Sequence, residues 1–199
     1  MSCVVGIDEA GRGPLAGPVA VGVVKIFYPE RSRGAMKKFF SGIKDSKQLT
    51  PEERDFWFAL ALEAKRQKLL DFAVALVSEK VIDRRGIVHA IRLGIKRCFQ
   101  KLDIEENDQI FLDGSLKAPE KFKHQLTVIK GDEKIPVISL ASICAKVVRD
   151  KRMISLSKKF PQFSFHLHKG YGTAMHREAI LKYGFTIIHR QSFLKNLTW

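Results

Sequence analysis

The stretch Val4-Val5-Gly6-Ile7-Asp8-Glu9-Ala10-Gly11-Arg12-Gly13 decides how this 199-residue chain folds. Its start is apolar and β-branched, which is typical of a buried strand, and Gly11-Arg12-Gly13 is typical of a tight turn. Neighbouring strand residues point to opposite faces, so Asp8 and Glu9 share one site only if the strand stops there and the turn redirects Glu9. Acidic residues also commonly end strands without further purpose, and this segment alone favours that simpler interpretation.

Beyond this segment, the hydrophobic pattern predicts an α/β domain with a mixed sheet flanked by helices. Strands are expected at 4–8, 19–28, 72–78, 109–113 and 125–129, and helices at 50–68, 79–102 with a break near Gly86, 137–160 and 174–183. Thr50-Pro51-Glu52-Glu53 supplies an N-cap, a proline at the first helical position and a capping-box glutamate. A basic loop is expected over 30–47. We expect a catalytic domain at 1–154 and a small helical C-terminal part at 155–199.

The charge balance indicates the kind of partner. The chain has 35 Lys and Arg residues against 21 Asp and Glu residues, a formal charge of +14. Such an excess favours a polyanionic partner, because each neutralised phosphate releases condensed counterions. The charge also suits a basic protein that binds membrane surfaces or is simply soluble. Nucleic acid is the commoner partner for such a balance.

The cysteines and the hydropathy pattern indicate the compartment. Cys3, Cys98 and Cys144 are widely spaced and have no CxxC pairing, so neither a disulfide framework nor a structural zinc site is expected. No apolar stretch approaches the length needed to cross a bilayer, and the first strand leaves no room for a signal peptide. We therefore expect a cytoplasmic protein that has no membrane partner. We also expect it to be a monomer.

Two later carboxylates repeat the arrangement of Asp8. Asp113 ends the apolar run Ile110-Phe111-Leu112, and Asp132 follows the run Leu126-Thr127-Val128-Ile129. Acidic strand ends in an α/β sheet can converge at its carboxyl edge, where ligands usually bind. Clustered carboxylates repel each other unless a cation lies among them, and Mg²⁺ or Mn²⁺ suits oxygen ligands. With two ions, one would activate a water and the other would stabilise the leaving 3′ oxygen of an in-line displacement.

Three further elements are candidates for contact with substrate. The glycines of Gly11-Arg12-Gly13 allow a ligand to approach the backbone closely, as a test for a 2′-hydroxyl requires, and Arg12 suits the adjoining phosphate. Tyr171 lies between two glycines, so its ring could stack on a sugar or base. Lys47 precedes a helix start and could reach phosphate. Each element also has an ordinary structural interpretation, as a glycine turn, a packed loop anchor or a capping loop.

The helix predicted at 137–160 carries a polar stripe whose role the sequence leaves open. The stripe recurs at offsets of three and four and consists of Ser139, Ser142, Lys146 and Arg149. The other face carries Leu140, Ile143, Val147 and Ile154. Such a stripe is at even odds a solvated face, and Lys146 is its candidate for binding substrate.

Together these segments resemble the ribonuclease HII family, the type 2 ribonucleases H. Seven segments in the family's order carry the resemblance: 6–14 (GIDEAGRGP), 45–49 (DSKQL), 112–114 (LDG), 130–132 (KGD), 141–147 (ASICAKV), 168–171 (HKGY) and 189–193 (HRQSF). One Gly-Arg-Gly turn would be weak support, but seven ordered matches across nearly the whole chain are specific. The resemblance implies a ribonuclease H-like mixed β-sheet flanked by helices, with a small helical C-terminal part.

The resemblance also implies an activity and the residues that carry it. Family members cut the phosphodiester 5′ to a ribonucleotide in RNA–DNA hybrids and in DNA duplexes with embedded ribonucleotides, leaving 3′-hydroxyl and 5′-phosphate ends. Their metal-binding catalytic carboxylates, which hold Mg²⁺ or Mn²⁺, are matched by Asp8, Glu9, Asp113 and Asp132. The motif that recognises the ribonucleotide is matched by Gly11, Arg12 and Gly13. Tyr171 matches the tyrosine that stacks on the next deoxyribose.

The chain departs from the family pattern in a few places. Cys144 stands where an aliphatic residue is usual, and Gln191 where a second arginine is common. The chain ends soon after Phe193, so the extended tail with which some relatives grip duplex is not expected. Gln191, Leu194 and Leu197 faintly resemble a sliding-clamp peptide, but they overlap the ordinary family motif, which makes coincidence the simpler interpretation.

Three alternatives compete with this function. The sister type 3 family shares the fold and carboxylates, but an added N-terminal binding domain would favour it, and this chain begins at the first strand. A DDE-type recombinase shares the metal chemistry, but it gives no role to the Gly-Arg-Gly turn or to Tyr171. A nucleic-acid-binding module would keep the basic surface and treat the acids as structural strand ends.

Overall fold

In a computed structural model, residues 3–27 and 39–195 are described, and they form a five-stranded sheet flanked by helices. The strands are β1 (Val4–Ala10), β2 (Val19–Ile26), β3 (Leu70–Val77), β4 (Gln109–Asp113) and β5 (Gln125–Val128). The helices are α1 (Pro51–Arg66), α2 (Glu79–Arg85), α3 (Ile87–Leu102), α4 (Gly131–Lys134), α5 (Pro136–Lys159), α6 (Phe165–His168), α7 (Ala174–Tyr183) and α8 (Gln191–Leu194), with a 3₁₀ turn at Pro161–Phe163. The first part of the predicted basic loop lies outside the described residues.

The sheet is mixed, as predicted, with strand order β3-β2-β1-β4-β5. β1 pairs antiparallel with β2, and β2 pairs antiparallel with β3. β4 lies parallel to both β1 and β5. The carboxyl ends of β1, β4 and β5 therefore meet at one edge of the sheet, called here the carboxyl edge.

Local sequence signals explain where the helices begin and end. The hydroxyl of Thr50 accepts a hydrogen bond from Glu53 N at 3.2 Å, and the Glu53 carboxylate accepts one from Thr50 N at 2.7 Å. This reciprocal pair confirms the predicted capping box of α1. Gly86 separates α2 from α3 with a φ of 81°, a conformation that glycine adopts without steric cost. The predicted break near Gly86 is therefore confirmed.

Helix α5 packs directly on β1, which carries Asp8, and on the neighbouring β2. A methyl group on Gly6 would overlap the main chain of Val137, and one on Gly22 would overlap the Ala141 carbonyl. The two glycines thus let the helix backbone approach β1 and β2 closely. This approach brings the polar side of α5 to the carboxyl edge. Helix α3 packs against the opposite face of the sheet.

The C-terminal part packs around its own apolar cluster. Helix α5 runs unbroken through residues 154 and 155, and its last turns carry Met153 and Leu156 into this cluster. They pack there with Phe163, Phe165 and Ile180. The cluster also includes Leu15 and Ala16 from the loop after β1, so it borders that loop directly. The division between 1–154 and 155–199 stays a prediction.

Two further expectations concern the membrane and the cysteines. Within the residues that the structure describes, no helix is both long and apolar enough to span a bilayer. Cys3, Cys98 and Cys144 are buried free thiols, as predicted for a chain without a disulfide framework.

Candidate active site

Three carboxylates from three elements meet at the carboxyl edge. Asp8 lies on β1, Asp113 ends β4, and Asp132 stands in the first turn of α4. One oxygen from each lies within 4.8 Å of the others. Parallel pairing of β1 with β4 places Ile7 beside Leu112, which sets the next residues, Asp8 and Asp113, side by side. The predicted convergence of these three acids is confirmed in the geometry.

The electrostatics of this cluster favour a bound cation. Asp8 is 4% exposed, and burial raises the pKa of its carboxyl well above the usual value. The neighbouring Glu9 and Asp113 raise this pKa further, while a hydrogen bond from Ser142 opposes the rise. A divalent cation would stabilise the ionised form of such a group. The hard oxygen donors of the cluster fit Mg²⁺ or Mn²⁺.

Glu9 takes a different position from the one that the sequence predicts. β1 continues through Ala10, so the expectation that the strand stops at Asp8 is wrong; pairing with Ala20 of β2 holds it extended for two more residues. The Glu9 carboxylate accepts a hydrogen bond from Arg12 Nη1 at 3.2 Å and is not one of the three that cluster within 4.8 Å. It still lines the same cavity as Asp8 and Asp113.

Lys47 contacts the carboxylate cluster directly. Its Nζ lies 2.8 Å from Asp132 Oδ2 and donates a hydrogen bond to it. This hydrogen bond raises the pKa of the Lys47 ammonium. The loop that carries Lys47 is held against α5 by a 2.8 Å hydrogen bond between the hydroxyls of Ser46 and Ser142. Lys47 therefore lies among the acids, where the sequence suggested only a lysine near a helix start.

The Gly11-Arg12-Gly13 turn is held by a buried arginine that sequence reasoning missed. Arg190 is fully buried, and its guanidinium donates to the carbonyls of Gly11 at 2.7 Å, Arg12 at 3.0 Å and Gly17 at 2.9 Å. These bonds turn the carbonyls of the loop inward. The only sequence signal for Arg190 was its place in the 189–193 segment.

A second buried arginine, Arg149, packs beneath the same turn. Gly11 has a φ of 87°, and a methyl group there would overlap the Arg149 side chain. Arg149 Nε donates to the Pro18 carbonyl at 3.0 Å. Both a positive φ and a close contact thus require glycine at position 11. The Arg149 guanidinium also lies 5.9 Å from the centre of the Tyr171 ring, within the range of a cation–π contact.

The polar stripe of α5 faces inward. Ser139, Ser142 and Arg149 are buried, whereas Ile154, assigned to the apolar face, is 42% exposed. The interpretation of the stripe as a solvated face is therefore wrong, because β1 and the loop after it cover this side of α5. Lys146 lies at the cavity, where burial lowers its pKa, and it pairs with Asp150 at 3.0 Å.

Tyr171 presents its ring to the same cavity. The residue is 44% exposed, and its carbonyl accepts a hydrogen bond from His176 Nδ1 at 2.9 Å. The cavity unites the predicted residues on one surface, lined by Asp8, Glu9, Ala10, Gly11, Arg12, Gly13, Ser46, Lys47, Asp113, Ser142, Lys146 and Tyr171. Every predicted site residue lines this cavity except Asp132, which is 2% exposed and joins it through Lys47 and the carboxylate cluster.

Known proteins of one family resemble this chain along nearly its whole length. The family model for ribonuclease HII matches residues 5–196. The ribonuclease HII of Caldicellulosiruptor bescii is 42% identical over 194 residues, which cover 98% of this chain and 87% of the relative.

Solved structures resemble it as well. The RNase HII in a PCNA complex from Archaeoglobus fulgidus has a TM-score of 0.73 and 26% identity, covering 99% of this chain and 96% of its own. The ribonuclease H2 of Pyrococcus horikoshii OT3 has a TM-score of 0.69 and 30% identity, and the match covers 96% of this chain and 93% of that structure's chain. Such coverage confirms the ribonuclease H-like fold. The chain belongs to the ribonuclease HII family, which consists of metal-dependent endoribonucleases with ribonuclease H activity on RNA–DNA hybrids.

Proposed function

We propose that this protein hydrolyses the phosphodiester 5′ to a ribonucleotide, in RNA–DNA hybrids and in DNA duplexes with embedded ribonucleotides. The products would carry 3′-hydroxyl and 5′-phosphate ends. One observation carries the proposal: the carboxylate cluster, the Gly11-Arg12-Gly13 turn and Tyr171 border a single cavity. A group that cleaves and a group that tests the sugar would thus act on the same nucleotide.

The carboxylates would hold the metal. Asp8, Asp113 and Asp132 would be the first ligands, and Glu9 would join them from the next position on β1. When bound, Mg²⁺ or Mn²⁺ would supply charge stabilisation for an in-line phosphoryl displacement, with two ions in the substrate complex. Asp113 is already oriented for this role, because its Oδ1 accepts a hydrogen bond from Gly131 N at 2.7 Å.

The turn and the aromatic ring would select the substrate. Arg190 holds the turn's carbonyls inward, which leaves its glycine backbone free to approach a 2′-hydroxyl. Arg12 is exposed beside Glu9 and would meet the adjoining phosphate. Tyr171 would stack on the next deoxyribose, which suits an RNA–DNA junction. Lys47 and Lys146 would contact the phosphates that flank the cleaved bond.

The test uses labelled duplexes that contain no ribonucleotide, one ribonucleotide or four, each with Mg²⁺, Mn²⁺ or chelator. We expect cutting only where a ribonucleotide is present, on its 5′ side, and none with chelator. If the all-DNA duplex were cut as fast as the duplexes with ribonucleotides, the proposal that the enzyme recognises a 2′-hydroxyl would be overturned. Unchanged cutting with chelator would overturn the metal assignment.

A sliding-clamp contact is not part of this proposal, although the Archaeoglobus fulgidus relative was solved with PCNA. Leu194 of the suggested peptide is 4% exposed and belongs to the apolar cluster of the C-terminal part. Leu197 lies outside the described residues. The monomeric state and the cytoplasmic location stay predictions. The proposed activity would also give the protein roles in DNA repair and replication.

A further inference from the structure

A groove leads from the candidate active site along helix α3. Arg12 lines both the active-site cavity and the first section of the groove. Arg92 and Lys117 line the first and second sections. Lys96 joins the second section to a third, which ends near Phe122. We call these three adjoining depressions, between α3 and the loop after β4, the α3 groove.

Three cations on the rim of the α3 groove have no ion-pair partner among the described residues, whereas Lys121 in the third section pairs with Glu106. Arg92, Lys96 and Lys117 are all exposed, and no ion pair among the described residues involves any of them. Two acids also line the groove, Glu120 in the second section and Asp103 in the third. Cations that share a concave surface reinforce one another's potential and attract a polyanion.

The basic side chains on α3 follow one line that leads away from the catalytic carboxylates. His89, which can donate a hydrogen bond, and the cations Arg92 and Lys96 are spaced by three and four residues, so they lie on one side of the helix. They span about 10 Å along the helix axis, or roughly three base-pair steps of about 3.4 Å. The helix starts at the carboxyl edge, where β3 ends, and runs toward the edge where β4 begins. The line thus departs from the site in one direction.

We propose that the α3 groove binds backbone phosphates of the substrate duplex on one side of the cleavage site. The proposal rests on the proposed function, because its ligand is an extension of that substrate. Because Arg12 lines both, the groove adjoins the cavity that would hold the cut strand. The repeated cations match the regular charge of a phosphate backbone. An acidic protein segment would need neither a groove that adjoins the active-site cavity nor basic side chains at regular spacing.

The experiment compares Arg92→Gln/Lys96→Gln with Arg66→Gln/Lys68→Gln. Both doubles remove two exposed cations, but Arg66 and Lys68 lie at the end of α1, which packs on the face of the sheet opposite to α3. Substrates are a short duplex with one central ribonucleotide and two longer ones, each extended by about one helical turn on one side only. Binding is measured by fluorescence anisotropy with chelator over a range of salt, and cleavage is measured with Mg²⁺.

We expect the α3 double to weaken binding of one of the two extended duplexes about tenfold. The slope of log K against log salt should shrink by about two, since each lost phosphate contact removes about 0.9. Binding and cutting of the short duplex should stay at the wild-type level. Equal weakening by the control double, or unchanged binding of both extended duplexes, would overturn the groove assignment. Failure of the wild type to cut any ribonucleotide-containing duplex would instead overturn the proposed function, because binding is measured separately.

Discussion

His176 Nε2 lies 3.1 Å from His189 Nε2, and both rings are buried in the C-terminal part. Thr186 N donates to His189 Nδ1 at 2.9 Å, so the proton of this neutral ring is on Nε2 and points at His176. His176 then donates from Nδ1 to the Tyr171 carbonyl. This series of hydrogen bonds fixes the backbone of Tyr171, which lines the cavity, and it requires both rings to be neutral.

This pair predicts loss of stability in mild acid. Burial lowers the pKa of both His176 and His189 to about 4. The unfolded chain takes up protons near pH 6.5 and the folded chain only near 4, so stability rises with pH across this window and falls as pH drops through it. The buried Asp8 carboxyl, whose pKa is raised, would oppose this fall, so the measurement uses the Asp8→Asn variant. In that background we expect the free energy of unfolding to be about 2 to 4 kcal/mol lower at pH 5 than at pH 7.5, by urea denaturation. Adding the exposed His124→Gln substitution should leave the fall unchanged; a pH-independent free energy of unfolding in Asp8→Asn would contradict the arrangement.

Loss of Arg190 should impair the Gly11-Arg12-Gly13 turn, for which we propose recognition of the ribose. Lysine cannot reproduce three bonds to the carbonyls of Gly11, Arg12 and Gly17, and each unpartnered carbonyl costs roughly 1–3 kcal/mol. We expect Arg190→Lys to lower the free energy of unfolding by about 3 kcal/mol. It should also reduce kcat on a single-ribonucleotide duplex about tenfold or more, with little change in KM. The exposed Arg97→Lys is the matched control, and a normal kcat in Arg190→Lys would contradict the positioning role.

Asp113→Asn tests whether the cluster is catalytic or only structural. Asparagine keeps an oxygen that can accept the hydrogen bond from Gly131 N, so the fold should persist. It removes one charge from the metal site, and we expect cleavage of an RNA–DNA hybrid to fall about a hundredfold or more. Duplex binding should be retained. Intact cleavage would support the binding-module alternative, and the exposed Asp55→Asn should behave like wild type.

Lys47 and a divalent cation should compete for the same carboxylates. Since Lys47 Nζ lies 2.8 Å from Asp132 Oδ2, its removal leaves the acids with less neutralising charge. We expect Lys47→Met to lower Tm without metal and to show a larger rise in Tm on addition of Mg²⁺ than the wild type. Thermal melts with and without the ion measure both effects. Lys44→Met, which changes an exposed neighbour, should leave the Mg²⁺-dependent rise unchanged.

Tyr171→Ala should affect substrates unequally. A stacking contact at an RNA–DNA junction is needed for a single embedded ribonucleotide and less for a continuous hybrid. We expect the variant to lose more activity on the single-ribonucleotide duplex than on the hybrid, by kcat/KM. Tyr183→Ala removes a similarly exposed ring outside the cavity and should alter neither substrate. Equal losses on the two substrates in Tyr171→Ala would count against the junction role.

Local patterns in the sequence were enough to predict most of the fold and the acids of the site. The capping box at Thr50 and the break at Gly86 depend on residues a few positions apart, so their outcome follows from local chemistry. Asp8 and Asp113 each follow an apolar run, and strand pairing sets such residues side by side at one edge. Their convergence was therefore predictable without coordinates.

Tertiary structure alone decided how the opening segment is supported. Arg190 lies 179 positions from Gly11, and Lys47 lies 85 from Asp132, so no local periodicity reports either contact. Whether the polar stripe of α5 faces solvent or the protein interior could not be predicted either. The same sequence pattern results whether water or another part of the chain covers the stripe. The sequence by itself determined which residues are the candidates for the chemistry. The packing of distant segments decided which of their atoms are buried, hydrogen-bonded and turned toward the cavity.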